Sequence, residues 1–389
     1  MTLTASADLV ETAASFSADI RAQADHAERQ RRVDPGLVQR MAAAGLFHAF
    51  VPAALGGSES DVASVMRAIE QISIDDGSTG WVVMIGVTTG PSAAFLEPEA
   101  ARKIYGDGPG VITGGAIAPK GKAVVDGQGY RVSGRWPFVS GCEHSDWLLG
   151  SCLVYEGDEL RNLPSGGPEI LQVFFPRAEV EILDTWDVSG LRATGSHDMA
   201  VHDLAAPAEH SISLIGGRPY HDGPLYRFPI FGLLSVAVAT VTVGIARRAI
   251  DELTALAPNK RSVFATRLLS ETPATQSDLA RAEALLRSAR AFLFEEIDEM
   301  WQIVERGDQP TLHQRAVLRL AATNATIAAS RATDIAYELG GGSSIYSGNV
   351  LQRQFRDIHT ATQHIATSPA TYEMAGRVFL GLNPGTPML

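Results

Sequence analysis

The chain has 389 residues, 45% of them hydrophobic and 20% charged, and a formal net charge of −12. That length exceeds one simple core and calls for two or three subdomains of an ordinary soluble protein. The acidic balance argues against a nucleic-acid partner, which requires a basic face. The first residues, Met1 to Asp8, lack a basic region followed by an apolar run, so no signal peptide is expected and a cytoplasmic location is.

Residues 5 to about 105 read as helices. Val38, Met41, Ala42, Leu46 and Phe47 recur at helical spacing. Pro52 and Gly56-Gly57 break the pattern, and Asp61 is placed to cap a helix from Val62 to Ile74. Asp75-Asp76-Gly77-Ser78-Thr79 is a second break and cap, followed by a short apolar helix from Trp81 to Val87. The character changes near Val111. Ala123-Val124-Val125 and Tyr130-Arg131-Val132 flank Asp126-Gly127-Gln128-Gly129, a hairpin whose turn needs positive φ. Strands are also predicted over Trp147–Val154, Ile170–Phe175, Val180–Leu183 and Met199–Leu204, with Tyr155–Pro168 a surface loop and the β region closing near Pro207.

From Ile230 the helical period returns, with helices predicted over 231–257, 275–305, 311–339 and 350–380. The uncharged span Phe228–Ala246 has the length of a membrane helix. It holds Pro229, Ser235, Thr240 and Thr242 and runs straight into Arg247-Arg248, so it is read as the buried central helix of a bundle and no membrane association is expected. The fold class is α+β and mostly α. Residues 1–110 form an N-terminal helical domain, 111–210 a central β-barrel or sheet, and 211–389 a C-terminal antiparallel four-helix bundle.

Cys142 and Cys152 are the two cysteines; their spacing fits no metal motif, and buried free thiols are expected. His26, His48, His144, His202, His210, His221 and His313 are scattered without ligand spacing, so no metal is expected. No G-x-G-x-x-G follows a strand, and Gly340–Gly342 lacks the Lys-Ser/Thr of a phosphate loop, so no bound nicotinamide is expected.

Four motifs carry more. They are Asp76-Gly77-Ser78-Thr79-Gly80-Trp81, Gly134-Arg135-Trp136-Pro137-Phe138-Val139-Ser140-Gly141, Gly190-Leu191-Arg192-Ala193-Thr194-Gly195-Ser196-His197-Asp198, and the run from Gly340 to His364. In that order and spacing they resemble the acyl-CoA dehydrogenase superfamily over roughly residues 15 to 380. The "T-G-S-H-D" and "L-Q-R-x-x-R-D-x-H" stretches resemble its two-component flavin-dependent monooxygenases, such as hydroxyphenylacetate and hydroxysteroid hydroxylases and dibenzothiophene monooxygenase. The resemblance implies an acyl-CoA dehydrogenase-like fold and an oxygenase component that receives reduced flavin from a separate NAD(P)H-dependent reductase. It also implies a flavin C4a-hydroperoxide that oxygenates a small aromatic, amine or thioether substrate with O2, and a homotetramer. Reduced FMN is expected, with FAD the alternative.

The resemblance also implies roles. His364 is the expected proton-transfer residue, with a pKa of ~6 to 7, and His359 the second candidate. Lying five residues apart on one helix, the two cannot share a face. Thr360 is placed to orient His364, and Arg353 to pair with Asp357. Ser140 is the expected neighbour of flavin N5, or else a turn serine before Gly141. Trp136 and Phe138 are expected to wall the flavin ring, or else to be sheet core. Arg261, in an "R-x-x-F" pattern, is expected at the phosphate of a flavin held by a neighbouring subunit, with Gly341 and Gly342 allowing close backbone approach. Trp81 and Met84 are expected to line the substrate pocket. His197 and Asp198 are read as structural, satisfying loop amides.

No carboxylate lies between Asp357 and Glu373, and none between Leu225 and Ile250. Both usual homes of a dehydrogenase base are empty, which favours oxygenation. Two rivals stay open: an FAD-dependent dehydrogenase or oxidase with an unrecognised base, and a flavin-fold protein without catalysis that serves as a binding partner.

Overall fold

The computed structural model describes residues 8–164, 166–213, 216–261, 265–386 and 388–389. Six helices come first: α1 (Leu9–Ser15), α2 (Ser17–Gln30), α3 (Pro35–Ala43), α4 (Val62–Asp75), α5 (Gly77–Thr89) and α6 (Pro98–Tyr105). Aspartates start several of them. Asp61 accepts the Ser64 N–H at 2.8 Å and Asp76 accepts the Thr79 N–H at 2.8 Å, satisfying amides that have no partner within the helix.

Eight strands follow: β1 (Thr113–Asp126), β2 (Gly129–Trp136), β3 (Trp147–Glu156), β4 (Glu159–Leu160), β5 (Ile170–Pro176), β6 (Glu181–Leu183), β7 (Asp198–Pro207) and β8 (Ser211–Ser213). They form one mixed sheet in the order β6-β7-β2-β1-β3-β5-β8, with β4 on β3. The predicted hairpin is β1–β2; Asp126 pairs with Gly129, and Gly127 sits at φ 58°. The predicted surface loop Tyr155–Pro168 contains a tight turn, because Gly157 at φ 63° lets β4 fold back on β3. The β region runs past Pro207 to β8, a three-residue strand with too short a pattern to read from sequence. β1 and β3 pair in parallel, and their register shifts between Ala116 and Gly121. This bulge swings Ala116, Ile117 and Ala118 out towards the cavity described below.

The last block holds α7 (Ile230–Leu256), α8 (Pro273–Glu305), α9 (Leu312–Gly340), α10 (Val350–Ala361) and α11 (Ala370–Phe379). α7 is apolar on all sides because α4, α5, α8, α9 and α10 pack around it. Among the described residues it belongs to the one helical span long and apolar enough to cross a membrane, Ile230–Asn259, and 78% of that apolar window is buried inside the protein. The continuous helix predicted over 350–380 is broken. α10 stops at Ala361, His364 caps a single 3-10 turn (Ile365–Thr367), and Pro369 precedes α11.

Candidate active site

A cavity of about 780 Å³ opens between α5, the sheet, α7 and the segment that follows α10. That size suits a small molecule or cofactor (roughly 300–1,000 Å³). Its wall is largely apolar, with Trp81, Met84, Phe138, Trp186, Phe231 and Val238 among the lining residues, while Ser140, Thr194, Ser196, Arg319, His359 and His364 bring polar groups to it. Among the described residues that line it there is no Asp or Glu.

α5 carries Trp81 to one wall. The Trp81 indole N–H donates to the Ser140 hydroxyl at 3.1 Å. Ser140 Oγ lies 2.7 Å from Ser196 Oγ, which lies 2.6 Å from Thr194 Oγ1, and Thr194 donates to the Leu191 carbonyl at 2.8 Å. One proton per hydroxyl fixes the direction of this chain. Thr194 spends its proton on Leu191, so Ser196 donates to Thr194 and Ser140 donates to Ser196. The oxygen of Ser140 therefore has only a lone pair left for the cavity.

The loops that hold these hydroxyls are tied to each other. Val139 N–H donates to His197 O at 3.0 Å and Gly141 N–H to Thr194 O at 2.8 Å. Phe138 adopts φ 64°, uncommon for a bulky residue, and is 70% exposed. The ring meets Trp186 edge-on, with 6.2 Å between centroids. His197 satisfies loop amides, its Nδ1 accepting from Thr185 and Trp186 N–H at 3.2 Å, whereas Asp198 accepts from the side chains of Arg135 and Thr185.

The helix break after Ala361 brings both late histidines to the cavity, which the expected helical period excluded. His359 Nε2 donates to Asp334 at 2.8 Å. His364 Nδ1 accepts the Ala366 N–H at 3.2 Å, so the proton of its neutral ring sits on Nε2. Its ring stands edge-on to Trp81, 5.6 Å between centroids. Desolvation pushes its pKa down to about 4, below the expected range of ~6 to 7. Thr360 does not orient it; its hydroxyl donates to Arg356 O at 3.0 Å. Arg353 pairs with Asp25 rather than with Asp357. Asp357 is buried behind the cavity, with Oδ1 accepting the Leu191 N–H at 2.6 Å and Oδ2 unpartnered. Burial and then the nearby Asp76 raise its pKa to about 7.

Residues 5–104 match the N-terminal domain of acyl-CoA dehydrogenases and residues 236–369 the C-terminal domain. Indole-3-acetate monooxygenase of Pseudomonas putida is 35% identical over 364 residues, covering 94% of this chain and 91% of that protein. The oxygenase subunit HsaA of a flavin-dependent monooxygenase from Mycobacterium tuberculosis is 27% identical, covering 95% of each. The structure of XiaF from a Streptomyces species, in complex with FADH2 and glycerol, superposes with a TM-score of 0.90 at 25% identity, covering 99% of this chain and 98% of that one. The chain belongs to the flavin-dependent monooxygenase branch of the acyl-CoA dehydrogenase family. Its activity is that of an oxygenase component.

The residues of this monooxygenase fit a flavin. The cavity is large enough, the Phe138 ring and the β1 bulge offer flat apolar walls, and the lone pair of Ser140 suits a ring N–H. Trp81, Met84, Phe138, Ser140, His359 and His364 all line this one cavity. Trp136 does not, contrary to the expectation that it walls the flavin ring. It is fully buried within the sheet and donates to Ser151 O at 2.8 Å, because Gly121, Gly134 and Gly150 leave room for its indole. Arg261, Gly341 and Gly342 are absent from the lining as well. Gly341 and Gly342 lie at the end of α9, where Lys260, the residue before Arg261, donates to Gly340 O and Ser343 Oγ; Ser262, Val263 and Phe264 of the arginine motif fall outside the described residues. Both cysteines are buried free thiols, and among the described residues no group of three or more His, Cys, Asp or Glu could hold a metal.

Thr194, Ser196 and Arg319 were not read from the sequence as site residues. Two small hydroxyl residues inside one motif, and an arginine inside the Ala-rich stretch Leu318–Ala322, are the signals that point to them.

Proposed function

We propose that this oxygenase component hydroxylates a small aromatic molecule, using FADH2 supplied by a separate NAD(P)H-dependent reductase, and that it works as a cytoplasmic homotetramer. One observation carries the chemistry: the cavity wall offers imidazole and hydroxyl groups and no carboxylate among its described residues. A desaturase needs a carboxylate to take a C–H proton. An oxygenase needs proton donors and a dry pocket.

Reduced flavin, when bound, would supply the two electrons needed to reduce O2 to one oxygen atom for the substrate and one for water. Ser140, held as an acceptor by its neighbours, would bind an N–H of the flavin ring and keep that proton in place. His364, neutral with its proton on Nε2, can offer that N–H as a hydrogen-bond donor to an oxygen in the cavity. Trp81, Met84, Phe231 and Val238 exclude water and hold an aromatic ring by apolar contact. The likeness to a protein bound to FADH2 supports FAD over FMN, and the name of the Pseudomonas putida relative supports an aromatic substrate. The tetramer is supported by Ile345 and Tyr346, each 70% exposed beside the Gly340–Ser343 turn. There Arg261, Gly341 and Gly342 would serve a flavin of the neighbouring subunit.

The test is single turnover of protein-bound FADH2 with ¹⁸O₂ and an indole or phenol panel, followed by mass spectrometry. Incorporation of one labelled oxygen into a product supports the reading. Complete diversion of oxygen to hydrogen peroxide with every aromatic compound, or formation of an enoyl product from a saturated thioester, refutes it. Light scattering at assay concentration checks the tetramer.

A further inference from the structure

Arg319 sits in the first third of α9, where its neighbours are small and apolar: Leu318, Ala321, Ala322 and Ala325 are all fully buried. The arginine itself is 7% exposed, and it lines the cavity. A guanidinium this deep ordinarily has a carboxylate partner. Among the described residues Arg319 has no such partner. One terminal nitrogen donates to Met388 O, the other donates to Ala366 O at 3.3 Å, and Nε has no partner. Two neutral carbonyls do not balance a buried cation, and desolvation lowers its pKa accordingly.

The missing anion has a place to sit. Ala366, whose carbonyl accepts a hydrogen bond from Arg319, donates its own N–H to His364 Nδ1. One residue therefore joins the charge to the His364 ring. A ligand anchored at Arg319 would lie against the turn carrying His364, with the Trp81 and Met84 wall available to its apolar part. We propose that Arg319 is a carboxylate subsite, so that the preferred substrate of this oxygenase is an aromatic ring bearing an acidic side chain. The inference deepens the aromatic-hydroxylase reading given above and rests on it. A monoanion fits better than a phosphate ester. Arg319 is the one Lys or Arg among the described residues lining the cavity, and its planar fork suits a carboxylate.

The experiment measures binding by calorimetry to the FADH2-loaded protein without oxygen, using two matched pairs: indole-3-acetate with indole-3-acetamide, and phenylacetate with phenylacetamide. Each acid is expected to bind about 100-fold tighter than its neutral amide, the size of a buried charge pair. Arg319→Met, which keeps the apolar stem, is expected to bring that ratio to about 1, with Arg319→Lys between. Acid and amide binding alike to the wild type, or neither acid binding, overturns the proposal. An unchanged ratio in Arg319→Met also overturns it and reduces Arg319 to a pin for Met388. Should Arg319→Met not fold, the wild-type ratios decide alone. The aromatic-hydroxylase reading fails separately: tight acid binding without labelled product in the ¹⁸O₂ assay would keep the subsite and discard the hydroxylase.

Discussion

Trp81 and Ser140, 59 positions apart in the chain, are joined by a hydrogen bond of 3.1 Å that ties α5 to the loop after β2. The bond also sets the polarity of Ser140. Its oxygen receives the indole proton, its own proton goes to Ser196, and what faces the cavity is an acceptor. Ser140→Ala removes that acceptor and leaves two buried groups unmatched. We expect coupling of reduced flavin to product to fall at least tenfold, with hydrogen peroxide making up the difference, and stability to fall by about 1–3 kcal/mol. Peroxide yield equal to wild type would remove Ser140 from the chemistry.

Thr194 should act through Ser140 without touching the flavin. Its proton on the Leu191 carbonyl is what orients the hydroxyls above it. Thr194→Val preserves shape but frees Ser196 and Ser140 to turn. The expected result is a peroxide leak of the same kind as in Ser140→Ala but smaller. Thr194→Ser should restore coupling, because the serine hydroxyl can still donate to Leu191. A leak in Thr194→Ser as large as in Thr194→Val would mean that packing, not polarity, is the cause.

His364 predicts a pH signature. Its folded pKa of about 4 lies below the ordinary value, so the ring is neutral throughout the physiological range. The direction of linkage follows. Stability tied to this group is complete above the ordinary histidine pKa and is lost as pH falls towards 4, because the buried ring must then take up charge. His364→Asn should flatten the loss of melting temperature between pH 6 and 4 and lower coupling at pH 7. A turnover profile with an ionisation near pH 6.5 that disappears in His364→Asn would contradict the neutral-ring assignment.

Much of the fold was legible because it is written in short-range chemistry. Asp61 and Asp76 cap the helices they were expected to cap, and Gly127 supplies the positive φ of the β1–β2 turn. α7 declared itself by an uncharged stretch flanked by arginines. The misses arose where tertiary geometry decides. Nothing in the period of Leu351 to Leu380 shows that the helix stops at Ala361, so the two histidines were assigned to different faces. Trp136 and Ser140 sit in one motif, yet the strand alternates its faces and turns one inward to the sheet while the loop beyond delivers the other to the cavity. Arg319 was hidden because helical periodicity marks a polar residue on an apolar face but does not say what opposes it.

Asp357 offers a stability test independent of flavin. It is fully enclosed, and its pKa is raised to about 7 by burial and by Asp76. A carboxyl whose folded pKa is raised stabilises most below the unfolded value, and that contribution is lost as pH climbs towards 7. Asp357→Asn keeps an acceptor for the Leu191 N–H and carries no charge. It should be more stable than wild type at pH 8, by an amount on the order of 2 kcal/mol, with the gap closing towards pH 4. A stability difference independent of pH would show that Asp357 is ionised in the folded protein throughout, held so by Arg353 and Arg356.

Trp136 decides between a cofactor wall and a sheet core. A Cβ placed on Gly121, Gly134 or Gly150 would come within 3.0 Å of its indole, so three neighbouring strands forgo side chains to seat one ring. The ring also contacts Phe175, 6.0 Å away between centroids. Emptying such a site costs the transferred surface plus the cavity left behind, about 3–5 kcal/mol for Trp136→Ala. Gly150→Ala should cost about 1–3 kcal/mol from the opposite side, by overfilling. Trp136→Phe is the informative variant, because it keeps most of the volume and loses the hydrogen bond to Ser151. We expect its melting temperature to fall while flavin affinity of the folded protein, measured by fluorescence titration, stays within about twofold. A tenfold loss of flavin affinity at unchanged stability would return Trp136 to the flavin site, and would mean that the sheet opens in solution more than its packing implies.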